Sequence, residues 1–149
     1  MKDNLPIRKK LRLKCYDYSN PGSYFITICI QNRIEILGKI HDNQIKLSKE
    51  GIIVQTNIEN IEKVFKDIKI DEYIIMPNHI HMIISNGYKN TINLSKLIQQ
   101  YKGMVTKQIG YSIWQKSYYE HIIRNDQEYY KIKEYIQNNI INWKQDKYF

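Results

Sequence analysis

Hydrophobic and polar residues alternate along several short stretches of the chain. The segment SYFITICIQNR follows the turn sequence NPGS and is rich in β-branched and aromatic side chains, a pattern that predicts a β-strand. The segments ILGKI and NQIKLS are separated by His41 and Asp42, with Asn43 as a turn residue, and predict a hairpin. Two more apolar segments, KIDEYIIM and HIHMIIS, flank Pro77 and Asn78. This tight-turn pair predicts that they form adjacent strands.

Apolar residues recur at helical spacing in three other stretches. KEGIIVQTNIENIEKVF predicts a first helix. From Thr91, INLSKLIQQYKGMVTKQIG predicts a second, amphipathic helix whose other face carries lysines. YSIWQKSYYEHIIRN is predicted to be a loop, and a third helix is expected from about Asp126, an acidic residue that suits a helix N-terminus. Its apolar stripe would contain Tyr129, Ile132, Ile136, Ile140 and Trp143.

This order of elements predicts the fold class. Strands in hairpins, with helices between and after them, indicate an α+β domain in which helices cover an antiparallel sheet. At 149 residues the chain can bury a core without disulfides, so we expect a single domain over residues 1–149 with a basic leader at 1–20. No apolar run approaches the roughly 20 residues that cross a bilayer, and nothing behind the basic start resembles a signal peptide. A cytoplasmic protein is expected.

Composition points to a polyanionic partner. The net charge of +8 and pI near 9.3 favour nucleic acid. Lysines and arginines are spread among 13 tyrosines, which fits a single strand with exposed bases better than a membrane surface. A low-GC genome would give the same enrichment without any such function. The two cysteines, Cys15 and Cys29, form no CxxC pair for zinc or redox chemistry.

Two histidines interrupt one apolar strand. In MPNHIHMII the period of two places His79 and His81 on one face, roughly 7 Å apart along the strand. Both imidazoles can then reach a single cation, while Ile80, Met82 and Ile84 pack on the opposite side. Taken alone, such a pair is more typical of half-buried polar residues, so by itself it is a weak indicator.

The C-terminal helix carries a second pair. Tyr135 and Asn139 stand four residues apart and share a helical face. Asn139 offers an amide oxygen to a hard cation, and Tyr135 offers a nucleophilic phenol one turn away. Without the histidines, a packing tyrosine and a solvated asparagine would be the better interpretation. Tyr130 with Glu134 is a rival pair that lies farther from the apolar stripe.

Several further residues are candidates for site roles. Tyr118 and Tyr119 are not excluded as nucleophiles. His121 is either a surface residue or a group that supports the site or contacts a phosphate. Cations that could contact DNA phosphates, or simply form a solvated basic surface, are Arg8, Lys9, Lys10, Arg12, Lys102 and Lys107.

Five collinear segments match one family. They are LRLKCYDYSNPGSYFITICIQNR, EYIIMPNHIHMIIS, LSKLIQQYKGMVTKQI, WQKSYYEHIIRN and EYIQNN, and together they cover nearly the whole chain. On these segments the chain resembles the REP-associated tyrosine transposases, relatives of the IS200-like transposases in the HUH endonuclease group. It departs from the family pattern YIxxNP in having Ile140 in place of the proline. Since that proline would end the helix, the helix is expected to run on toward Trp143.

The resemblance implies a ferredoxin-like sheet, a metal held by His79, His81 and Asn139, and Tyr135 as the nucleophile. Magnesium or manganese is expected rather than zinc, because one ligand is an oxygen and the substrate is a phosphate. Single-stranded or hairpin DNA would be cleaved to a 5′-phosphotyrosine and later rejoined, by a monomer or a homodimer. Two alternatives stay open: a catalytically inactive, domesticated nucleic-acid-binding protein, and a metal-dependent hydrolase that uses water.

Overall fold

The computed structural model describes residues 22–86 and 93–145. The predicted basic leader, with Arg8, Lys9, Lys10 and Arg12, lies outside the described residues. Two short 3₁₀ turns occupy Gln31–Arg33 and Trp143–Gln145. The strands and helices are, in chain order, β1 (Gly22–Cys29), β2 (Gly38–His41), β3 (Gln44–Leu47), α1 (Lys49–Val64), β4 (Ile68–Met76), β5 (His79–Asn86), α2 (Leu94–Ile109), β6 (Tyr119–Ile123) and α3 (Asp126–Gln137).

Four strands form one antiparallel sheet in the order β4-β5-β1-β6. The helices α1 and α2 each precede a strand at an edge of this sheet, and β1 and β5 lie at its centre. This is the ferredoxin-like arrangement, and it confirms the predicted α+β class. The strands β2 and β3 pair with each other in a separate hairpin.

The two faces of the sheet are covered by different helices. Alternate residues of the central strands, including Ile26, Ile28, Ile80 and Met82, pack in one core with α1 and α2. The residues between them, which include Thr27 opposite His81 in the register of β1 and β5, point to the other face. That second face is covered by α3. The sheet therefore separates the main apolar core from a layer that contains the histidines.

Short polar residues begin the three helices. The side chains of Ser48, Asn93 and Asn125 accept hydrogen bonds from the backbone N–H three residues on, at 3.0, 2.8 and 2.8 Å, as N-capping residues do. Gly110, at φ 102°, ends α2 in the left-handed conformation that favours glycine. Gly51 is required for packing, because a Cβ there would lie 2.1 Å from the carbonyl oxygen of Leu37.

Most predicted elements are confirmed, and three details of the prediction were wrong. The hairpin is present, with Asp42 and Asn43 at φ 52° and 60° in its turn; His41 ends β2 instead of joining the turn. The predicted loop before α3 contains β6, which pairs with β1. The helix α3 does not continue to Trp143: it ends at Gln137, and turns follow.

In the described part of the chain, no helix is long and apolar enough to cross a membrane.

Candidate active site

The two histidines of β5 lie side by side on the α3 face of the sheet. Both are 0% exposed, and their ring centroids are 4.6 Å apart at an interplanar angle of 73°. The prediction that His79 and His81 share a face is therefore confirmed, as is the packing of Ile80, Met82 and Ile84 on the other side. Two adjacent imidazoles with crossed planes can direct nitrogens toward one point.

Each imidazole has a hydrogen-bond partner at Nδ1. In His81 this nitrogen lies 2.8 Å from Oγ1 of Thr27, on the neighbouring strand. In His79 it lies 2.7 Å from Oδ1 of Asn78, in the β4–β5 turn. Both partners are 1% exposed. With Nδ1 occupied, Nε2 is the atom through which either ring would coordinate a cation.

Tyr135 lies directly against His81. Their ring centroids are 5.3 Å apart, and Phe25 contacts both rings, stacked on His81 at 5.3 Å and edge-on to Tyr135 at 6.1 Å. Tyr135 remains 38% exposed. The Tyr135 side chain of α3 therefore contacts the ring of His81 and is still accessible to solvent.

Asn139 lies in the turn that follows α3 and is 1% exposed. Four residues before it, Tyr135 packs on His81, and four residues after it, Trp143 stacks on His79 at 6.2 Å and 23°. The segment thus crosses both histidines, with Asn139 at its middle. Its Oδ1 is buried and accepts no hydrogen bond from the residues that the structure describes.

The side chains of His79, His81 and Asn139 fit a hard divalent cation better than a metal site built from three or more His, Cys, Asp or Glu ligands. Among the described residues, no three His, Cys, Asp or Glu side chains come together to hold a metal. The available set is two imidazoles and one amide oxygen, and the buried Oδ1 of Asn139 lacks a donor. A buried carbonyl without a donor is unfavourable, and a cation would satisfy it.

Two polar contacts fix the first turn of α3. The hydroxyl of Tyr129 donates to Oδ2 of Asp71 at 2.8 Å, and burial together with this hydrogen bond raises the pKa of Tyr129 to about 12. Glu128 pairs with His121 of β6 and accepts from the backbone N–H of Arg124. Burial raises the pKa of Glu128, but these hydrogen bonds lower the pKa by more. The pKa of the Glu128 carboxyl therefore lies below its ordinary value. His121 therefore lies beside α3 as a structural partner of Glu128.

The rival tyrosines lie elsewhere. Tyr130 is 63% exposed, and Glu134 is also exposed. The hydroxyl of Tyr118 lies 3.1 Å from Oγ of Ser95 on α2, on the side of the apolar core. Tyr119 is 46% exposed and pairs with Thr27 in the sheet register, which makes it the rival closest in the fold to the histidines.

The two predicted lysines are on α2, which covers the opposite face of the sheet. Nζ of Lys102 donates to the carbonyls of Gln115 and Ser117 at 2.8 and 3.1 Å, and burial lowers the pKa of this amino group. Lys107 is exposed. Lys102 therefore holds the segment before β6, and its role as a phosphate contact stays a prediction, as does that of Lys107.

Four residues of the site are missing from the sequence prediction. Thr27 and Phe25 reach His81 through the pairing of β1 with β5, and no local pattern specifies which strands pair. The sequence predicts Asn78 only as a turn residue, although its position next to a histidine is a usable signal. It predicts Trp143 in an apolar helical stripe, whereas α3 ends at Gln137.

No family model matches the chain, but two solved structures share its fold. A REP-associated tyrosine transposase bound to a REP hairpin aligns with a TM-score of 0.71 and 22% identity, over 92% of this chain and 77% of that chain. A predicted transposase from Deinococcus radiodurans aligns with a TM-score of 0.55 and 14% identity, over 86% and 96%. The fold is thus that of the tyrosine transposases, which confirms the resemblance at the level of architecture.

Sequence similarity gives the family more directly. Over an alignment of 167 positions, the chain is 37% identical to an uncharacterized protein of Haemophilus influenzae, and the match covers 95% of this chain and 93% of the relative. The chain belongs to the family of that protein.

Proposed function

We propose that this protein is a metal-dependent single-stranded DNA endonuclease and strand transferase with Tyr135 as its nucleophile. The observation that carries the proposal is the contact between Tyr135 and His81, with ring centroids 5.3 Å apart. A solvent-accessible phenol is thereby placed beside a pair of buried imidazoles. The shared fold with a hairpin-bound tyrosine transposase supports the same function, with hairpin or palindromic DNA as the substrate.

His79, His81 and Asn139 would hold the cation, Mg²⁺ or Mn²⁺. The fit rests on two imidazoles that are hydrogen-bonded at Nδ1, which leaves Nε2 for coordination, and on the buried Oδ1 of Asn139. When bound, such a cation would neutralise charge on the scissile phosphate and favour the ionised form of a nearby phenol.

The chain's own residues supply the nucleophile and its orientation. Tyr135 Oη attacks phosphorus, the bond between phosphorus and the 3′-oxygen breaks, and the DNA 5′-phosphate becomes esterified to tyrosine. The phenol proton passes to water, which reaches the 38%-exposed side chain, and the departing 3′-oxygen takes a proton from water. Phe25 limits rotation of the Tyr135 ring through its edge-on contact.

The phosphotyrosine ester preserves the energy of the phosphodiester. A 3′-hydroxyl of another strand can attack the same phosphorus and expel Tyr135, which regains its proton. Cleavage and rejoining therefore need no nucleotide cofactor, and one active tyrosine suffices for both steps.

The test is an adduct assay with end-labelled hairpin oligonucleotides, with Mn²⁺ or Mg²⁺ and with chelator. We expect a metal-dependent protein–DNA band on denaturing gels that is absent in Tyr135→Phe. Tyr130→Phe is the matched control, because it removes a hydroxyl from the same helix at a side chain that is 63% exposed. It should form the adduct at the wild-type rate.

Other outcomes assign the function differently. An adduct that survives in Tyr135→Phe and disappears in Tyr119→Phe would move the nucleophile to β6. Cleavage without any adduct would indicate a hydrolase that uses water. Binding without cleavage across many hairpins and both metals would indicate a catalytically inactive binding protein.

A further inference from the structure

Both histidines are held at Nδ1 by buried side chains from different elements, Asn78 in the β4–β5 turn and Thr27 on β1. We infer that Asn78 and Thr27 are positioning residues that keep His79 and His81 in the neutral tautomer protonated at Nδ1, so that both Nε2 atoms are available to one divalent cation. The role in metal binding rests on the proposed function, whereas the hydrogen bonds at Nδ1 are present in the metal-free protein.

The Asn78 side chain can accept from His79 in only one orientation. Its Oδ1 faces Nδ1 of His79 at 2.7 Å, while its Nδ2 donates to the carbonyl oxygen of Arg33 at 3.4 Å. Turning the amide over would lose this hydrogen bond and set the amide oxygen against the carbonyl oxygen of Arg33. Because an amide oxygen only accepts, the Nδ1 of His79 must carry the proton.

The backbone holds Asn78 in the same place. Its carbonyl oxygen accepts from the N–H of Ile30 at 2.9 Å, and the neighbouring Pro77 carbonyl accepts from Leu37 at 3.0 Å. The side chain is 1% exposed, so water does not compete for its amide. The orientation of His79 is thus tied to the segment that follows β1.

Thr27 acts on His81 in a less restricted way. A hydroxyl can donate or accept, so the 2.8 Å contact with Nδ1 permits either tautomer by itself. Coordination through Nε2 removes the proton from that nitrogen, and Nδ1–H must then donate to Thr27. Phe25 stacks on the imidazole of His81, and Thr27 offers the acceptor that Nδ1–H needs in the cation-binding tautomer.

This arrangement has an energetic consequence for cation binding. A neutral imidazole in water favours the tautomer with the proton on Nε2, which blocks that nitrogen as a ligand. Partners at Nδ1 that accept from Nδ1–H stabilise the other tautomer and so reduce this cost before the cation binds. Loss of such partners commonly weakens metal binding by about 10–100-fold.

The first readout is the tautomer of each histidine in metal-free, ¹⁵N-labelled protein. Long-range ¹H–¹⁵N spectra at about pH 8, above the ordinary histidine pKa of about 6.5, distinguish protonated from unprotonated ring nitrogens. We expect wild-type His79 to be protonated at Nδ1 and Asn78→Ala to shift it toward Nε2. Thr27→Val should shift His81 in the same way, and Thr27→Ser, which keeps the hydroxyl, should not.

The second readout is Mn²⁺ affinity, measured by electron paramagnetic resonance in the Tyr135→Phe background so that cleavage does not interfere. Thr27→Val and Asn78→Ala should each weaken binding by about 10–100-fold, and Thr27→Ser should stay within about threefold of the parent. The thermal midpoint of each variant reports general damage, and the Val/Ser pair at Thr27 separates loss of the hydroxyl from loss of packing.

Wild-type His79 protonated at Nε2, or Mn²⁺ affinity unchanged in a folded Thr27→Val, would overturn the inference. Failure of the proposed function looks different. If the parent protein binds no Mn²⁺ but its tautomers respond to Asn78 and Thr27 as expected, the metal assignment fails and the positioning of the rings stands.

Discussion

Asn139 is a costly residue in the absence of a ligand. Its side chain is 1% exposed, and its Oδ1 accepts no hydrogen bond from any part of the chain that the structure describes. A buried polar atom left in this way costs about 1–3 kcal/mol. This unsatisfied oxygen is what supports the proposed role of Asn139 as a cation ligand.

We therefore predict that Asn139→Leu separates stability from metal binding. The metal-free variant should unfold in urea with a free energy within about 1 kcal/mol of wild type, because an apolar side chain of similar size removes the unsatisfied oxygen. Wild type should gain about 2.7 kcal/mol at a Mn²⁺ concentration 100 times its Kd. Asn139→Leu should gain almost nothing under the same conditions.

The matched control for that experiment is the neighbouring Asn138, which is exposed. Asn138→Ala should keep the full stabilisation by Mn²⁺. An Asn139→Leu protein that is still stabilised like wild type would remove this side chain from the ligand set.

At the scale of the secondary structure, α3 is fastened to three strands. Tyr129 reaches Asp71 at the irregularity in β4, and Glu128 reaches His121 on β6. Asp71 also accepts from Ser85 of β5 at 2.8 Å. The first turn of the helix is therefore held to both edge strands of the sheet, and Tyr135 lies in its last turn, against His81.

Tyr129→Phe should weaken this attachment in a pH-dependent way. The pKa of Tyr129 is raised from 10.0 to about 12 in the folded protein, so its contribution to stability is complete below pH 10 and is lost as the pH rises toward 12. We expect Tyr129→Phe to lower the free energy of unfolding by about 1 kcal/mol at pH 8. Urea unfolding of both proteins at several pH values measures the difference, which should shrink as the pH passes 10.

Tyr130→Phe is the control for the alkaline range, since the same hydroxyl is removed from an adjacent side chain that is 63% exposed. Its stability should follow the wild-type protein at each pH. A Tyr129 difference that stays constant from pH 8 to pH 12 would show that the Asp71 hydrogen bond does not fix α3.

The elements differ in how well local sequence specifies them. Alternation within HIHMII is enough to place His79 and His81 on one face, because the period of a strand is a property of the strand itself. The edge strand β6 is only five residues long and has no clear alternation. It forms by pairing with β1, about a hundred residues earlier in the chain. Because this pairing leaves no local pattern, the sequence around β6 predicts a loop.

The end of α3 shows the same limit. Its apolar spacing continues through Ile140 to Trp143, which predicts a longer helix. In the fold, α3 ends at Gln137, Asn139 is buried in the turn that follows, and Trp143 stacks on His79. Local spacing therefore predicts one helical face for Tyr135 and Asn139, but not the turn that contains Asn139.

For the molecule as a whole, the two faces of the sheet have separate roles. The face with α1 and α2 holds the main apolar core, and the face with α3 holds the histidines, Tyr135 and Asn139. The net charge of +8 favours association with DNA without selecting a face of the protein. A DNA strand must nevertheless reach the α3 face for Tyr135 to attack it. Cations on that face should therefore contribute more to productive binding than those on α2.

Lys131 and Lys107 test this asymmetry. Lys131 is exposed on α3. It lies four residues before Tyr135 and therefore on the same side of the helix as Tyr135. Lys107 is exposed on α2, across the sheet. In the Tyr135→Phe background, Lys131→Ala should weaken hairpin binding several-fold at moderate salt and make the slope of log K against log salt less negative by about 0.7, the value for one single-strand phosphate. Lys107→Ala should change neither quantity beyond error.

Fluorescence anisotropy across a salt series measures the hairpin affinity and its salt slope. Equal losses of affinity in the two variants would mean that DNA also contacts the α2 face, as the sequence alone predicts for Lys107.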